Sequence, residues 1–285
     1  MEAAPDGKAT PREPNDPFLR YHADALRDPH LTTSHGAGQI CLWESGSIWI
    51  GRATAVNDVH AHHAVQVALA LEGRFRFQSP GDGEWLDCAG AVIASNQPHA
   101  FDGRGAPTLA HLFVEPESLA GRVLLQRFQA ANGICLLSGA LFETAAHRLL
   151  TCYRASREPA KLIAAAHEVI RALTDGVEAP HPTDLRIIRA LDYLRDNLGE
   201  PVSLERVAAV VHLSPSRFRH LFVREMGLPL RHYVLWLRLK RAVDVFVAGE
   251  SLTSAAYRAG FADSAHLSRT FRRMYGLAAA SLRLE

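Results

Sequence analysis

Two stretches near the C-terminus repeat one pattern, and that repeat limits the fold more than any other feature of the chain. Ala208, His212 and Leu213 are followed 48 residues later by Ala256, Gly260 and Phe261; Phe218, His220, Phe222 and Gly227 are followed 49 residues later by Leu267, Arg269, Phe271 and Gly276. The one-residue slip falls in a turn, where an insertion is least costly. Each copy reads as a short helix, a tight turn and a longer helix. The small residue, Ala208 or Ala256, lets the two helices cross closely, and the turn four residues on needs a left-handed backbone, which Gly260 adopts freely and His212 less so. Leu213, Phe218, Leu221 and Phe222, and in the second copy Phe261, Leu267 and Phe271, form the inward stripe. Ser203, Ser214 followed by Pro215, Ser251 and Asp263 are expected N-caps, and Gly227, Gly249, Gly260 and Gly276 sit where helices should stop.

The residues left on the outer face of each second helix are Ser216, Arg217, Arg219 and His220 in one copy, and Ser264, Ala265, His266, Ser268 and Arg269 in the other. Arginine, histidine and serine suit base edges and phosphates in a major groove. A single unit of this kind would read as a bundle with solvated arginines. Two in register on a basic segment argue for DNA binding. The overall charge of +1 hides that basicity, because 31 Lys and Arg nearly cancel 30 Asp and Glu. From Asp184 to Glu285 there are sixteen basic against ten acidic residues, a net +6; the remainder holds fifteen against twenty, a net −5.

The rest of the chain reads differently. Residues 1–17 hold four prolines and no apolar periodicity, the pattern of a flexible arm. From about Gln39 to Glu115, apolar runs of five to nine residues alternate with Gly, Pro, Asn and Asp, as in an all-β barrel or sandwich. After Pro116 the period becomes helical in segments 118–131, 139–156 and 159–176. Their apolar face, with Leu124, Leu149, Leu162, Val169 and Ile170 among its members, suits either dimerisation or packing within the domain. Residues 176–183, with one glycine and two prolines, read as a linker between a domain over 18–175 and a second over 184–285. The longest apolar stretch, Ala64 to Leu71, is too short for a membrane span, so a cytoplasmic protein with no membrane partner is expected. The four cysteines lack CxxC spacing and read as buried thiols.

The last hundred residues resemble the DNA-binding domain of the AraC/XylS family of bacterial transcription regulators, in which a long helix joins two helix-turn-helix units. The resemblance rests on Ala208, Ser214, Phe218, Leu221, Phe222 and Gly227, on Tyr233, Arg238 and Ala242 in the linking helix, and on Ala256, Gly260, Phe261, Asp263, Ser264, Ser268, Arg269, Phe271 and Gly276. It implies two recognition helices in successive major-groove segments on one face of promoter DNA, about one turn or ~34 Å apart. It places base readout at Ser216, Arg219 and His220 and at Ser264, Ala265, His266 and Arg269, with Ser268 beside them, and phosphate contacts at Arg217, Arg272 and Arg273. An activator of this family would also meet RNA polymerase. Two departures stand out. The proline and aromatic of the family's closing motif are missing after Gly276, so this segment should pack differently, and His220 stands where the family commonly has arginine.

In the front domain, His60-x-His62, then Gln66 and Gly73, resembles the first motif of cupin barrels, and Asn96-Gln97-Pro98-His99 the end of the second. The resemblance implies a divalent metal (Zn, Ni or Fe) at His60, His62, Gln66 and His99. Gln66 replaces the usual glutamate, however, and Thr54, Cys88 and Ala94 replace the motifs' Gly and Pro. His60, His62, Gln66 and His99, with Trp43 and Phe75, therefore read equally as the lining of an effector pocket. Most aromatics on the predicted strands (Trp43, Trp49, Phe75, Phe77, Trp85, Phe101) should be core. No nucleophile–base pair or convergent carboxylates can be picked out, so no enzyme is expected. The fold expected is an α+β two-domain chain: an N-terminal cupin-like β-barrel with following helices, and a C-terminal all-α double helix-turn-helix. The function expected is a DNA-binding regulator that senses a small molecule. Its rivals are a metal-dependent cupin enzyme fused to a DNA-binding module and a constitutive regulator whose barrel only dimerises.

Overall fold

The computed structural model describes residues 36–284, apart from 82, 129–132, 139, 179–182 and 280–281. The expected arm at 1–17 and the middle of the expected linker lie outside these residues.

Strands β1 (Gly36–Trp43), β2 (Gly46–Ala53), β3 (Val56–His60), β4 (Val65–Glu72), β5 (Phe75–Gln78), β6 (Trp85–Cys88), β7 (Gly90–Ile93), β8 (His99–Asp102) and β9 (Thr108–Val114) form two sheets. A tenth strand, β10 (Ile134–Leu136), follows helix α1 (Leu119–Arg127), and β11 (Leu282–Leu284) comes from the far end of the chain. The larger sheet runs β10-β7-β4-β9-β2-β1-β11 and the smaller β3-β8-β5-β6. The result is a cupin-like two-sheet sandwich rather than one closed barrel. Strand β4 shows why it holds: every residue from Val65 to Ala70 is buried. Val65, Val67 and Leu69 face a helical layer, meeting Leu149, Leu162 and Val169. Ala68 and Ala70 face the other way, into the inter-sheet core with Phe75, Phe77 and Phe101. This is the two-residue alternation of a strand covered on both sides.

The helical layer is α1 with α2 (Ala140–Ala155) and α3 (Pro159–Thr174). Leu124, Leu149, Leu162, Val169 and Ile170 are buried against the chain's own sheet. These five residues of the expected apolar face pack within the domain, while Leu125, Phe128 and Ile163 are partly buried.

The C-terminal domain runs α4 (Leu185–Asp196), α5 (Leu204–Val210), α6 (Pro215–Met226), α7 (Leu230–Val247), α8 (Leu252–Arg258) and α9 (Ser264–Tyr275). The expected caps form: Ser203, Ser214, Ser251 and Asp263 each accept a backbone N–H three residues on. The repeat is visible atom by atom. Leu213 N–H donates to the Ala208 carbonyl at 3.0 Å, and Phe261 N–H to Ala256 at 2.9 Å. Between them His212 has φ 55° and Gly260 φ 80°, the left-handed turn that each unit needs. Phe218 and Phe222 pack with Tyr233 and Trp236 in the first unit's core, and Phe261, Leu267 and Phe271 with Leu239 and Ala242 in the second's. α7 therefore joins both units.

After Gly276 the chain forms no further α-helix among the described residues. It returns as β11, paired in parallel with β1.

A non-glycine residue in the left-handed region costs roughly 1–2 kcal/mol, so His212→Gly should raise unfolding stability by about 1 kcal/mol. Urea denaturation of the two proteins measures this; an unchanged or lower stability would mean that the His212 side chain contributes more than its backbone costs.

Candidate functional site

Helices α6 and α9 present the residues expected to meet DNA. Ser216, Arg217, Arg219 and His220 are exposed on α6, as are Ala265, Arg269 and Arg272 on α9; Ser264, His266, Ser268 and Arg273 are half-buried. His266 is the most constrained, with its ring edge-on to Phe261 at 5.1 Å and its backbone N–H capped by Asp263. Arg272 is committed elsewhere, since its guanidinium lies 3.0 Å from the Asp58 carboxylate of the β domain.

The end of α9, together with α7 and α4, meets that domain. Tyr233 Oη donates to Glu117 at 2.8 Å, and His63 lies 3.0 Å from the other Glu117 oxygen. Burial alone would raise the Glu117 pKa; the hydrogen bonds from His63 and Tyr233 outweigh it and hold the carboxyl below its ordinary range. Lys240 of α7 pairs with buried Glu115, and Arg195 of α4 lies 3.5 Å from the same carboxylate. At the end of α9, Asn57 donates to the Tyr275 carbonyl at 3.3 Å and the Asp58 N–H to the Gly276 carbonyl at 3.0 Å. Gly276 has φ +68°, and a Cβ there would lie 2.3 Å from the Asp58 carbonyl oxygen and 2.7 Å from His60 Nδ1. Glycine is required both by this close approach and by the helix cap.

A pocket lies in this seam. The β domain lines it with Trp49, Asn57, His60, Gln66, Phe101, His111 and Phe113; the C-terminal domain closes it with Val243, Phe271, Tyr275 and Leu277. Trp49 and His111 are stacked at 5.7 Å, and the buried Trp49 indole N–H has no hydrogen-bond partner among the described residues. Of the residues expected to line an effector pocket, His60 and Gln66 do so, with His62 and His99 packed behind them. Trp43 instead meets His167 of α3 edge-on at 5.1 Å, and Phe75 belongs to the inter-sheet core. The contributions of Phe271 and Tyr275 escaped sequence reasoning because their spacing marks them as helix core, which they also are.

His60, His62 and His99 offer nitrogens that all lie within 4.8 Å of one another. Each Nδ1 sits on a backbone carbonyl: Asp58 at 2.7 Å, Ala64 at 2.9 Å and Gln97 at 2.9 Å. Such contacts fix the tautomer and leave Nε2 as the lone-pair atom, and His99 Nε2 is buried without a partner among the described residues. These three imidazoles fit a divalent metal. Gln66 lies beside them, its Oε1 2.8 Å from His62 Nε2 and its Nε2 2.8 Å from His111 Nδ1.

Burial holds the imidazoles of His62 and His99 below their ordinary value and His111 at about 3, with the neighbouring imidazoles adding to the effect on His99. The folded chain refuses protons that the unfolded chain accepts. Stability from these groups is therefore complete above about pH 6.5 and falls as pH drops through that value, by up to ~1.4 kcal/mol per pH unit for each imidazole. Urea midpoints between about pH 7 and pH 5 measure the loss; a flat profile would mean that the imidazoles are charged in the fold.

A family profile described as a helix-turn-helix domain matches residues 207–285. The transcriptional activator RhaS of Enterobacter sp. (strain 638) is 35% identical over 108 residues, which are 38% of this chain and 39% of that protein. The regulatory protein PocR of Salmonella typhimurium is 31% identical over 97 residues, 34% of this chain and 32% of that protein. The chain thus aligns with under half the length of these curated relatives. In fold the likeness is wider: ToxT of Vibrio cholerae superposes with a TM-score of 0.54 at 8% identity, over 82% of this chain and 95% of that one. ToxT bound to (E)-4-(8-methylnaphthalen-1-yl)but-3-enoic acid gives a TM-score of 0.55 at 9% identity, over 83% of this chain and 97% of that one. The chain thus carries over residues 207–285 a helix-turn-helix domain similar to part of these regulators, and as a whole it has the fold of ToxT.

Proposed function

We propose that the protein is a sequence-specific DNA-binding transcription regulator, not an enzyme, and that the pocket in its seam receives a small-molecule effector. The observation that carries this reading is the pair of capped helix-turn-helix units that leave Arg217, Arg219 and His220 exposed on α6 and Arg269 and Arg272 exposed on α9. Ser216, Arg219, His220, Ser264, Ala265, His266 and Arg269 are the candidates for base contacts, with Ser268 beside them; Arg217, Arg272 and Arg273 are the candidates for phosphates. The pocket suits a planar, mostly apolar molecule bearing a hydrogen-bond acceptor, because aromatic rings dominate its walls and the Trp49 N–H awaits a partner. That ToxT, with the same fold, binds a naphthalenyl acid is consistent with a pocket of this kind. RNA polymerase would be a further partner if the protein activates.

A second reading concerns the three histidines. The unpartnered His99 Nε2 favours a divalent metal held by His60, His62 and His99, which would act as a Lewis acid or as a structural centre when bound. Elemental analysis of the purified chain should then find one equivalent of metal that is lost in His60→Ala and His99→Ala. DNA binding retained in those variants would favour the metal-enzyme alternative. Absence of metal in protein prepared with each cation would exclude this reading.

Arg219→Ala and Arg269→Ala should each cost about 1–3 kcal/mol of specific binding to the protein's own promoter and relax sequence preference at one position. Binding unchanged in both, measured by electrophoretic mobility shift, would show that α6 and α9 do not read bases.

A further inference from the structure

The segment that follows the second helix-turn-helix departs from the family pattern, and the fold shows where it goes. In place of a proline and an aromatic the sequence runs Leu277-Ala-Ala-Ala-Ser-Leu-Arg-Leu284. Leu277 and Ala279 are still buried in the core of the second unit. Three residues later the backbone pairs in parallel with the first strand of the β domain, in the register Gly36 with Leu282, Ala37 with Arg283 and Gly38 with Leu284. On its other side β1 is already paired with β2, so β11 covers what is otherwise the outer edge of the seven-stranded sheet among the described strands. An uncovered edge is a row of donors and acceptors that readily takes up an added strand.

The strand does not act alone. Just before it, Gly276 and Tyr275 give their carbonyls to Asp58 N–H and Asn57, and Arg272 gives its guanidinium to the Asp58 carboxylate. These contacts hold the same end of the same recognition helix. Arg272 paired with Asp58 is withheld from a phosphate, and the Asp58 carboxylate would repel a DNA backbone brought close to it.

We propose that residues 282–284 are a latch: by adding a strand to the edge of β1 they keep the second helix-turn-helix seated on the β domain, in a pose that opposes DNA binding. This rests on the reading of α9 as a recognition helix. Opening the latch frees α9 to adjust against DNA and releases Arg272. Two or three backbone hydrogen bonds, each contributing modestly in net terms, set the size of the effect at about tenfold in DNA affinity.

Ala37→Cys combined with Arg283→Cys, in the full chain, tests the proposal, because residues in register on adjacent strands lie within disulfide reach. Each single variant controls for pairing with the native Cys41. The cross-link should form on mild oxidation, and the oxidised protein should bind promoter DNA about tenfold more weakly than the same protein reduced. Failure to cross-link, or equal affinity of the two forms, overturns the latch. A readout independent of DNA separates this from failure of the DNA-binding reading. In Arg283→Pro and in Leu282→Pro/Leu284→Pro, one of which must remove N–H groups aimed at β1, amide exchange should quicken at residues 36–38 and at Asp58 together. Protection kept at Asp58 in both variants would mean that the strand does not hold the helix, and would overturn the latch whatever the DNA result.

Discussion

The arrangement of the two domains depends on two buried carboxylates just beyond β9. Glu115 and Glu117 are almost wholly removed from solvent, a costly location for charge unless partners are close and well aligned. The partners come from the other domain: Lys240 and Tyr233 from α7 and Arg195 from α4, with His63 closing the set from the β side. Pulling the domains apart would return these groups to water, whereas removing a single partner leaves a buried charge uncompensated. On the proposed reading, such an interface separates a docked from an undocked state with little between them. A packed seam that can occupy two discrete arrangements is what a switch requires.

The same logic explains the charge split in the sequence. The acidic front half supplies Asp58, Glu115 and Glu117, and the basic back half supplies Arg272, Lys240 and Arg195. On the proposed reading, acidic side chains of the β domain and DNA phosphates compete for the positive charge of one helical domain. Such competition is strongest for Arg272, whose exposed pair with Asp58 is the kind of contact that contributes little by itself and is easily exchanged.

Much of the helical domain was legible because its signals are local. The caps at Ser203, Ser214, Ser251 and Asp263 and the turns at His212 and Gly260 depend on a few consecutive residues, and the repeat supplied each one twice. The β domain was legible as a class but not in detail. Strands β3, β8 and β10 are short, and β3 carries Asn57 and Asp58, so neither length nor alternation marks them. Trp43 could not be told from Trp49 by pattern, although one packs on a helix and the other lines the pocket, because an aromatic on a strand gives no sign of which sheet face is covered by what. The strand at 282–284 was invisible for another reason: its partner lies 246 residues away and nothing local specifies it. What could be read was the negative signal, the missing proline and aromatic.

The pocket has a consequence that neither domain has alone. Phe271, Tyr275 and Leu277, which close it, belong to the second helix-turn-helix and its tail, while Trp49, His60 and His111 belong to the sandwich. Any occupant touching both sets loses contacts when the domains separate, so its affinities for the docked and undocked states must differ. By linkage, an effector that favours the docked state must weaken DNA binding by the factor by which DNA weakens effector binding, if DNA favours the undocked one. A molecule held by the β domain alone would shift nothing, however tightly it bound. On the proposed reading, regulation turns on the few aromatic atoms that α9 places in the wall.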